Sequence, residues 1–273
     1  MIVDFVAYIL ALFVGVTLGL VGAGGSILTL PILVKVVGIE PKHATTYSLF
    51  IVGFTALIGA INYYRKDSLH LKTAAIFCVP SLMIVLVMRR ILMPMLPIDL
   101  YEFDNFILKT NTVIILIFAS IMILAATSMI RGKQKDTDNQ DITNIDFNYR
   151  AIFFQGIIIG FLTGLVGAGG GFLIVPSLGR FAKLPIRLTI GTSLVIITVN
   201  SLLGFVTDLV AIDFPIEWDF LLIFSAIAGC GIFIGMYIGN FIKATQLKKI
   251  FGWFVLAMAI YLLSKEIFGV LVL

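Results

Sequence analysis

The stretch Gly19-Leu-Val-Gly-Ala-Gly-Gly-Ser-Ile-Leu-Thr-Leu-Pro31 returns 145 residues later as Gly164-Leu-Val-Gly-Ala-Gly-Gly-Gly-Phe-Leu-Ile-Val-Pro176, with nine of thirteen positions identical. The same offset carries Gly15 onto Gly160, Lys42 onto Arg187, Ser48-Leu49 onto Ser193-Leu194 and Gly59 onto Gly204. Greasy segments resemble one another by composition, but chance does not hold one register through glycine, basic and hydroxyl landmarks together. The chain is read as a tandem duplication, a common way to build a transporter.

Outward from these segments the sequence is apolar. Of 273 residues 60% are hydrophobic and 12% charged, against about 45–50% and about 25% in a soluble domain. Apolar blocks run over 2–37, 44–64, 73–98, 107–130, 151–180, 188–212, 218–241 and 247–271, and about 20 such residues cross a bilayer as a helix. This excludes a soluble enzyme, a secreted disulfide scaffold and a disordered chain. An all-α polytopic membrane protein is expected, with the lipid bilayer as its surroundings. Met1-Ile2-Val3-Asp4 lacks the basic start of a secretory signal, so the first block is expected to stay. The stretch Arg131 to Asn148, with four Asp and three basic residues, reads as a solvated linker. The expected organisation is a first membrane repeat at 1–130, a cytoplasmic linker at 131–149 and a second repeat at 150–273. The net charge of +4 is spread between blocks and forms no nucleic-acid patch. Cys78 and Cys230 stand alone and read as small packed hydrophobes.

Glycine costs about 1 kcal/mol in a helix interior, so Gly22-Ala23-Gly24-Gly25 and Gly167-Ala168-Gly169-Gly170-Gly171 mark a break in each block. Pro31 and Pro176 add a second disturbance. Backbone freed at membrane depth must be satisfied by protein or a polar cavity. Each repeat is therefore expected to hold a short helix whose N-terminal amides, near Ser26 and Gly171, point into a protected site suited to an anion. Gly15, Gly19, Gly160 and Gly164 are assigned to close helix packing. A nucleotide loop is excluded, since no strand precedes the glycines and no Lys follows.

Basic residues decide the topology. If all eight blocks crossed once, the two sides would carry eight and eleven Lys and Arg. If each glycine-broken block returns to its side of entry, the loops at 65–72, 131–150, 180–187 and 243–249 share one side, with thirteen basic residues against six. Only the second arrangement obeys the positive-inside rule. Each repeat is then one glycine-broken, hairpin-like helix plus three transmembrane helices. The two repeats are inverted, and the breaks meet near the midplane. The arms Ser26–Val37 and Gly171–Arg180, about 15–18 Å long, read as re-entrant.

At these residues the chain resembles the sulfite exporter TauE/SafE family of membrane transporters. The resemblance is carried by Gly22–Pro31 and Gly167–Pro176, and by the small, hydroxyl-bearing segments Ala44-Thr45-Thr46-Tyr47-Ser48-Leu49 and Ile190-Gly191-Thr192-Ser193-Leu194. It covers essentially the whole chain and implies movement of small sulfur-containing anions, such as sulfite or sulfoacetate, across the cytoplasmic membrane. The repeats differ where Thr46 and Tyr47 face Gly191 and Thr192, which argues against two identical sites.

With Lys and Arg confined to block ends, the anion must be held by neutral donors: amides at the breaks and the hydroxyls of Ser26, Thr45, Thr46, Ser48, Thr192 and Ser193. Taken singly, such hydroxyls usually bond back to their own helix. Asn62 and Asn200 are secondary candidates, otherwise read as packing or interhelical bonding. His43 and Asp208 are read as surface groups, and Trp218 and Trp253 as interface markers. No Ser/His pair, acid pair or His/Cys cluster lies within the blocks, so neither enzyme chemistry nor a cofactor or metal is expected. The alternatives are a transporter of another solute on the same scaffold and a non-transporting membrane scaffold or assembly protein. The sequence leaves open whether the chain works alone or as a homo-oligomer.

Overall fold

A computed structural model describes residues 2–22, 25–88, 99–103, 106–131, 149–166, 171–179, 184–210, 215–242 and 244–271. The first half of the chain contains α1 (Ile2–Val21), α2 (Gly25–Ile32), α3 (Pro41–Arg65), α4 (Leu71–Val87) and α5 (Thr110–Arg131). The second contains α6 (Tyr149–Val166), α7 (Gly171–Ser177), α8 (Ile186–Val210), α9 (Trp218–Gly239) and α10 (Ala244–Leu271). Three helices, within His43–Arg65, Arg187–Val210 and Trp218–Gly239, are long and apolar enough to cross a membrane. Among the described residues the fold is helical apart from turns and a small antiparallel hairpin, β1 (Asp99–Phe103) with β2 (Phe106–Lys109). The block expected to be helical from 107 thus opens as a strand, where Phe106-Ile107-Leu108 favours extended backbone.

Local chemistry sets the boundaries. Pro41 opens α3 at its first turn, where its missing N–H is no loss. In α2, Pro31 cannot donate to the carbonyl four residues back, and the helix loosens into a π turn over Leu33–Val37. Gly38, at φ +84°, ends that turn in the left-handed conformation, and Ile39 N–H bonds Leu33 O at 3.0 Å. His70 caps α4 by accepting the Thr73 N–H at 3.2 Å.

The principal helix pairs join one half of the chain to the other. α1 runs parallel to α9: a Cβ on Gly15 would strike the Ala228 carbonyl, one on Gly19 that of Ile232, and one on Gly235 that of Val16. α4 runs parallel to α6, with Gly156 on Phe77, Gly160 on Ser81 and Gly164 on Met88. Gly15, Gly19, Gly160 and Gly164 are the packing glycines expected from the sequence; Gly156 and Gly235 join them, and all let backbones approach more closely than any side chain permits. α3 and α8 meet antiparallel, through Thr46 and Asp208, Phe50 and Phe205, and Gly53 and Leu202, Gly59 and Leu194, Tyr63 and Gly191.

Adding 145 to a residue of α3 gives its counterpart on α8, both helices being 25 residues long. The contact Thr46 to Asp208 then becomes Gly191 to Tyr63, which is itself a contact. α1 with α9 likewise becomes α6 with α4, and α3 with α9 becomes α8 with α4. The pairing is unchanged when the halves are exchanged. A residue meets its own counterpart halfway along the α3–α8 seam, at Thr55 and Asn200.

Charge segregates along this bundle. The loop after Arg65 lies on the start of α8, since His70 N–H bonds Thr192 Oγ1 at 3.0 Å. Lys72 Nζ sits 4.7 Å over the Tyr149 ring at the start of α6. Gly239 closes α9 beside Leu20, and Gly252 packs on Met129 and Ile130 near the end of α5. Arg65, Lys66, Lys72, Arg131, Arg150, Arg187 and Lys249 therefore share one end. Thr46, Asp208, Glu217 and Tyr47 mark the other, where Glu217 N–H donates to Tyr47 Oη at 2.8 Å.

Candidate functional site

α1 ends in the first glycine break. Gly22 turns at φ +74° and is buried, its N–H bonding Leu18 O at 2.7 Å. Ser193, from the other repeat, donates its hydroxyl to Gly22 O at 3.1 Å and also to Ile190 O at 2.8 Å. A Cβ at position 22 would lie 2.8 Å from both Ile190 Cγ2 and Ser193 Oγ, so only glycine fits. Gly25 then opens α2, which folds back along α1 onto Leu18 and Val14. Thr29 Oγ1 spends its proton on Gly25 O at 2.7 Å. Ala23 and Gly24 lie outside the described residues, as do Gly167, Ala168, Gly169 and Gly170; Ser26 is described only as part of α2.

Gly22 packs on Ile190 and Ser193, about 10–15 Å along the helix axis from the halfway point at Asn200. The second break follows Val166, one turn beyond Gly164 at Met88, near the other end of the bundle. The two breaks thus stand on opposite sides of the centre, whereas the sequence reading had them meet there. The reason is length. α1 and α6 complete 20 and 18 residues before the glycines, so each break comes after a full helix. The short helices α2 and α7 return from those ends and touch each other.

The predicted hydroxyls divide the same way. Thr192 and Ser193, both fully buried, join the first break together with Gly191, whose position admits no Cβ against Ser68 O. Thr192 accepts the His70 N–H. At the other end Thr46 Oγ1 donates to Asp208 Oδ2 at 3.3 Å, Thr45 is half-buried and Ser48 is buried. Gly171 opens α7 and is buried. Asp208 is not the surface group expected: it faces the α3–α8 seam, half-buried. His70, in the loop, has its pKa held below the usual imidazole value by burial and then by the charge of Lys72.

At the centre, sequence reasoning had named Asn200 as a secondary candidate but missed the hydroxyls around it. Thr55, Ser201 and Ser225 are fully buried at 0% exposure, and their hydroxyl oxygens have no hydrogen-bond partner. Beside them Asn200 and Ser81 bond each other, Nδ2 to Oγ at 3.1 Å. The signal was present: Thr55 and Asn200 stand at the same offset of 145 as the glycine runs. No group of three or more His, Cys, Asp or Glu able to hold a metal occurs among the described residues.

The arrangement is two broken helices at opposite ends of a duplicated, lipid-sized bundle, with a polar centre between them. The family model described as "Sulfite exporter TauE/SafE" matches residues 7–262. A "Probable membrane transporter protein" of Xylella fastidiosa (strain 9a5c) is 28% identical over 263 residues, covering 93% of this chain and 92% of that protein. "Probable membrane transporter protein YunE" of Bacillus subtilis is 27% identical over 219 residues, 74% and 77% of the two chains. "Sulfite exporter TauE/SafE family protein 1" of Arabidopsis thaliana is 35% identical over 88 residues, 31% and 19% of the two chains. With nearly its whole length matched and its helices paired across the duplication, the chain is a multi-pass membrane protein and belongs to the sulfite exporter TauE/SafE family, whose members are membrane transporters and not enzymes.

Proposed function

We propose that this chain exports small sulfur-containing anions, such as sulfite or sulfoacetate, across the cytoplasmic membrane as a secondary transporter or facilitator. The end bearing Arg65, Lys72 and Arg187 faces the cytoplasm, following the positive-inside rule. The two repeats are inverted, a reading supported by the antiparallel α3–α8 seam and its exchange symmetry. Cytoplasmic anions gather at the basic end by electrostatic attraction and meet the amide end of α2, whose free N–H groups and dipole favour negative charge. α7 offers the corresponding amides toward the opposite face. Rocking of one repeat against the other opens these ends in turn.

The observation that carries the reading is the Gly22 break, glycine-only and buried at the basic end, directly before the first amides of α2. The test is flux. Liposomes containing the purified chain are expected to take up sulfite faster than protein-free vesicles, with sulfoacetate competing and zwitterionic taurine not. Folded protein that moves neither sulfite, sulfate, sulfoacetate nor simple carboxylates overturns the proposal. Uptake of carboxylates alone reassigns the solute.

A further inference from the structure

We infer that the middle of the α3–α8 seam is a binding station for an oxyanion in transit, built from the hydroxyls of Thr55, Ser201 and Ser225 beside the Asn200–Ser81 pair. The inference rests on the transport reading above, but its own observations are independent of the glycine breaks.

First, the placement. Thr55 and Asn200 sit where the halves of the molecule exchange, halfway along its two 25-residue central helices. Gly53 packs on Leu202 across the α3–α8 seam, and Gly229 packs on Ile58 across α3–α9. These contacts bring Thr55, Ser201 and Ser225 to one level within about a turn.

Second, the missing partners. A buried hydroxyl left unbonded forfeits its hydration with nothing in return, and the usual escape in a helix is the carbonyl one turn back. Thr198 and Thr207, on the same helix as Ser201, take that escape at 2.7 and 2.8 Å. Thr55, Ser201 and Ser225 do not. For Thr55 the cause is visible. Gly160 rests on Ser81, and its counterpart Gly15 rests on Ala228, so Ala228 stands where exchange of the halves would place a second Ser81. Asn200 has its serine; at the position that corresponds for Thr55 the chain has an alanine. One mate of the pair is closed and the other is open.

Third, the ligand class. The described charges lie toward the ends of the bundle, so a cation at the centre would find no carboxylate beside it. Three hydroxyl protons and the amide of Asn200 instead suit a ligand that accepts hydrogen bonds. Neutral donors replace part of an anion's hydration without binding it too tightly to leave.

The test removes hydroxyls while keeping shape. Thr55→Val, Ser225→Ala and Ser201→Ala, singly and together, are reconstituted and assayed for sulfite uptake. We expect at least tenfold loss per hydroxyl, about 1.4 kcal/mol, since hydrogen bonds to charged groups are stronger than neutral ones, with the elution profile and unfolding midpoint of the wild type retained. Unchanged uptake in the triple variant overturns the station. A second arm does not depend on sulfite being the substrate. Thr55→Cys and Ser225→Cys, in a chain with Cys78 and Cys230 replaced by Ala, are exposed to a sulfonate-bearing and to a trimethylammonium-bearing methanethiosulfonate. Rates are normalised to those with free cysteine. Faster labelling by the sulfonate supports the station even if sulfite flux is absent and the proposed substrate fails. Preference for the cation, or no labelling by either, overturns it.

Discussion

Replacing Gly22 by alanine tests the glycine break more sharply than any other substitution. The added methyl meets three separate costs. An L-residue held at φ +74° is strained by about 1–2 kcal/mol. Crowding against Ile190 Cγ2, 2.8 Å from the new Cβ, adds about 1–3 kcal/mol of overpacking. Ser193 Oγ, also at 2.8 Å, must swing away and give up its bond to Gly22 O, worth about 0.5–1.5 kcal/mol. The sum is about 2.5–6.5 kcal/mol, or a fall of about 5–26 °C at about 2–4 °C per kcal/mol for a chain of this size. Gly38→Ala separates the components, because Gly38 has φ +84° but nothing within 4 Å of its Cβ position. It is expected to lose only the backbone part, about 2–8 °C. Gly179→Ala, with open space and no left-handed φ, should leave the midpoint unchanged or slightly raised. Unfolding midpoints in one detergent at one protein concentration read all three. Ser193→Ala combined with Gly22→Ala should be less damaging than the sum of the two. A Gly22→Ala variant no less stable than Gly38→Ala, or strict additivity with Ser193→Ala, refutes the reasoning.

The remaining predictions concern the packing, the topology and the loop histidine. Gly19→Leu or Gly235→Leu drives a side chain into the carbonyls of Ile232 or Val16, and should abolish recovery of monodisperse protein, whereas Gly179→Leu should not. Cysteines introduced singly at Lys66 and Arg187, on a background lacking Cys78 and Cys230, should be labelled by an impermeant reagent from one face, and one at Glu217 from the other. Labelling of positions 66 and 187 from opposite faces contradicts the inverted arrangement. His70 has a lowered pKa, so the unfolded chain binds its proton more readily. The stability it contributes is present above the ordinary imidazole pKa and is lost as pH falls through that value toward the folded one. The unfolding midpoint should therefore drop more between pH 7.5 and 5.5 in the wild type than in His70→Asn, whose amide oxygen still caps Thr73.

Composition was enough to read a helical membrane protein, and the offset of 145 seen in the sequence also relates the 25-residue helices α3 and α8 residue for residue. The grouping of basic loops was also legible, because charge resists burial wherever it falls in the sequence. The level of the glycine breaks was not. A glycine run says that a helix stops but not how far it has already travelled, and Ile2–Val21 had crossed the bundle before Gly22 turned. Nor did the sequence reveal that Ser193 serves the break of the other repeat, since partners across an antiparallel seam depend on register. The central hydroxyls were passed over because a serine or threonine bonded to its own helix and one left unbonded read alike in sequence.

Exchange of the halves preserves helix pairing but not chemistry, and the differences carry the energetics of switching. In an inverted-repeat carrier the two facing states are related by swapping the conformations of the repeats. Their free energies differ only where mated contacts differ. The clearest such place is the buried Asn200–Ser81 bond joining α8 to α4, whose mate by exchange of the halves pairs Thr55 with Ala228, where the Thr55 hydroxyl has no bond. A net hydrogen bond of about 0.5–1.5 kcal/mol held on one seam only biases the seams by a factor of about 2–13, centred near five at 1 kcal/mol. Ser81→Ala should remove that bias and move the ratio of labelling from the Lys66 face to that from the Glu217 face, read at Ser225→Cys, by about fivefold. Adding Ala228→Ser supplies the missing partner to Thr55 and should carry the ratio further in the same direction, past equality. If the two substitutions move it in opposite directions, or not at all, the seams are not mates in switching and the repeats do not rock about this axis.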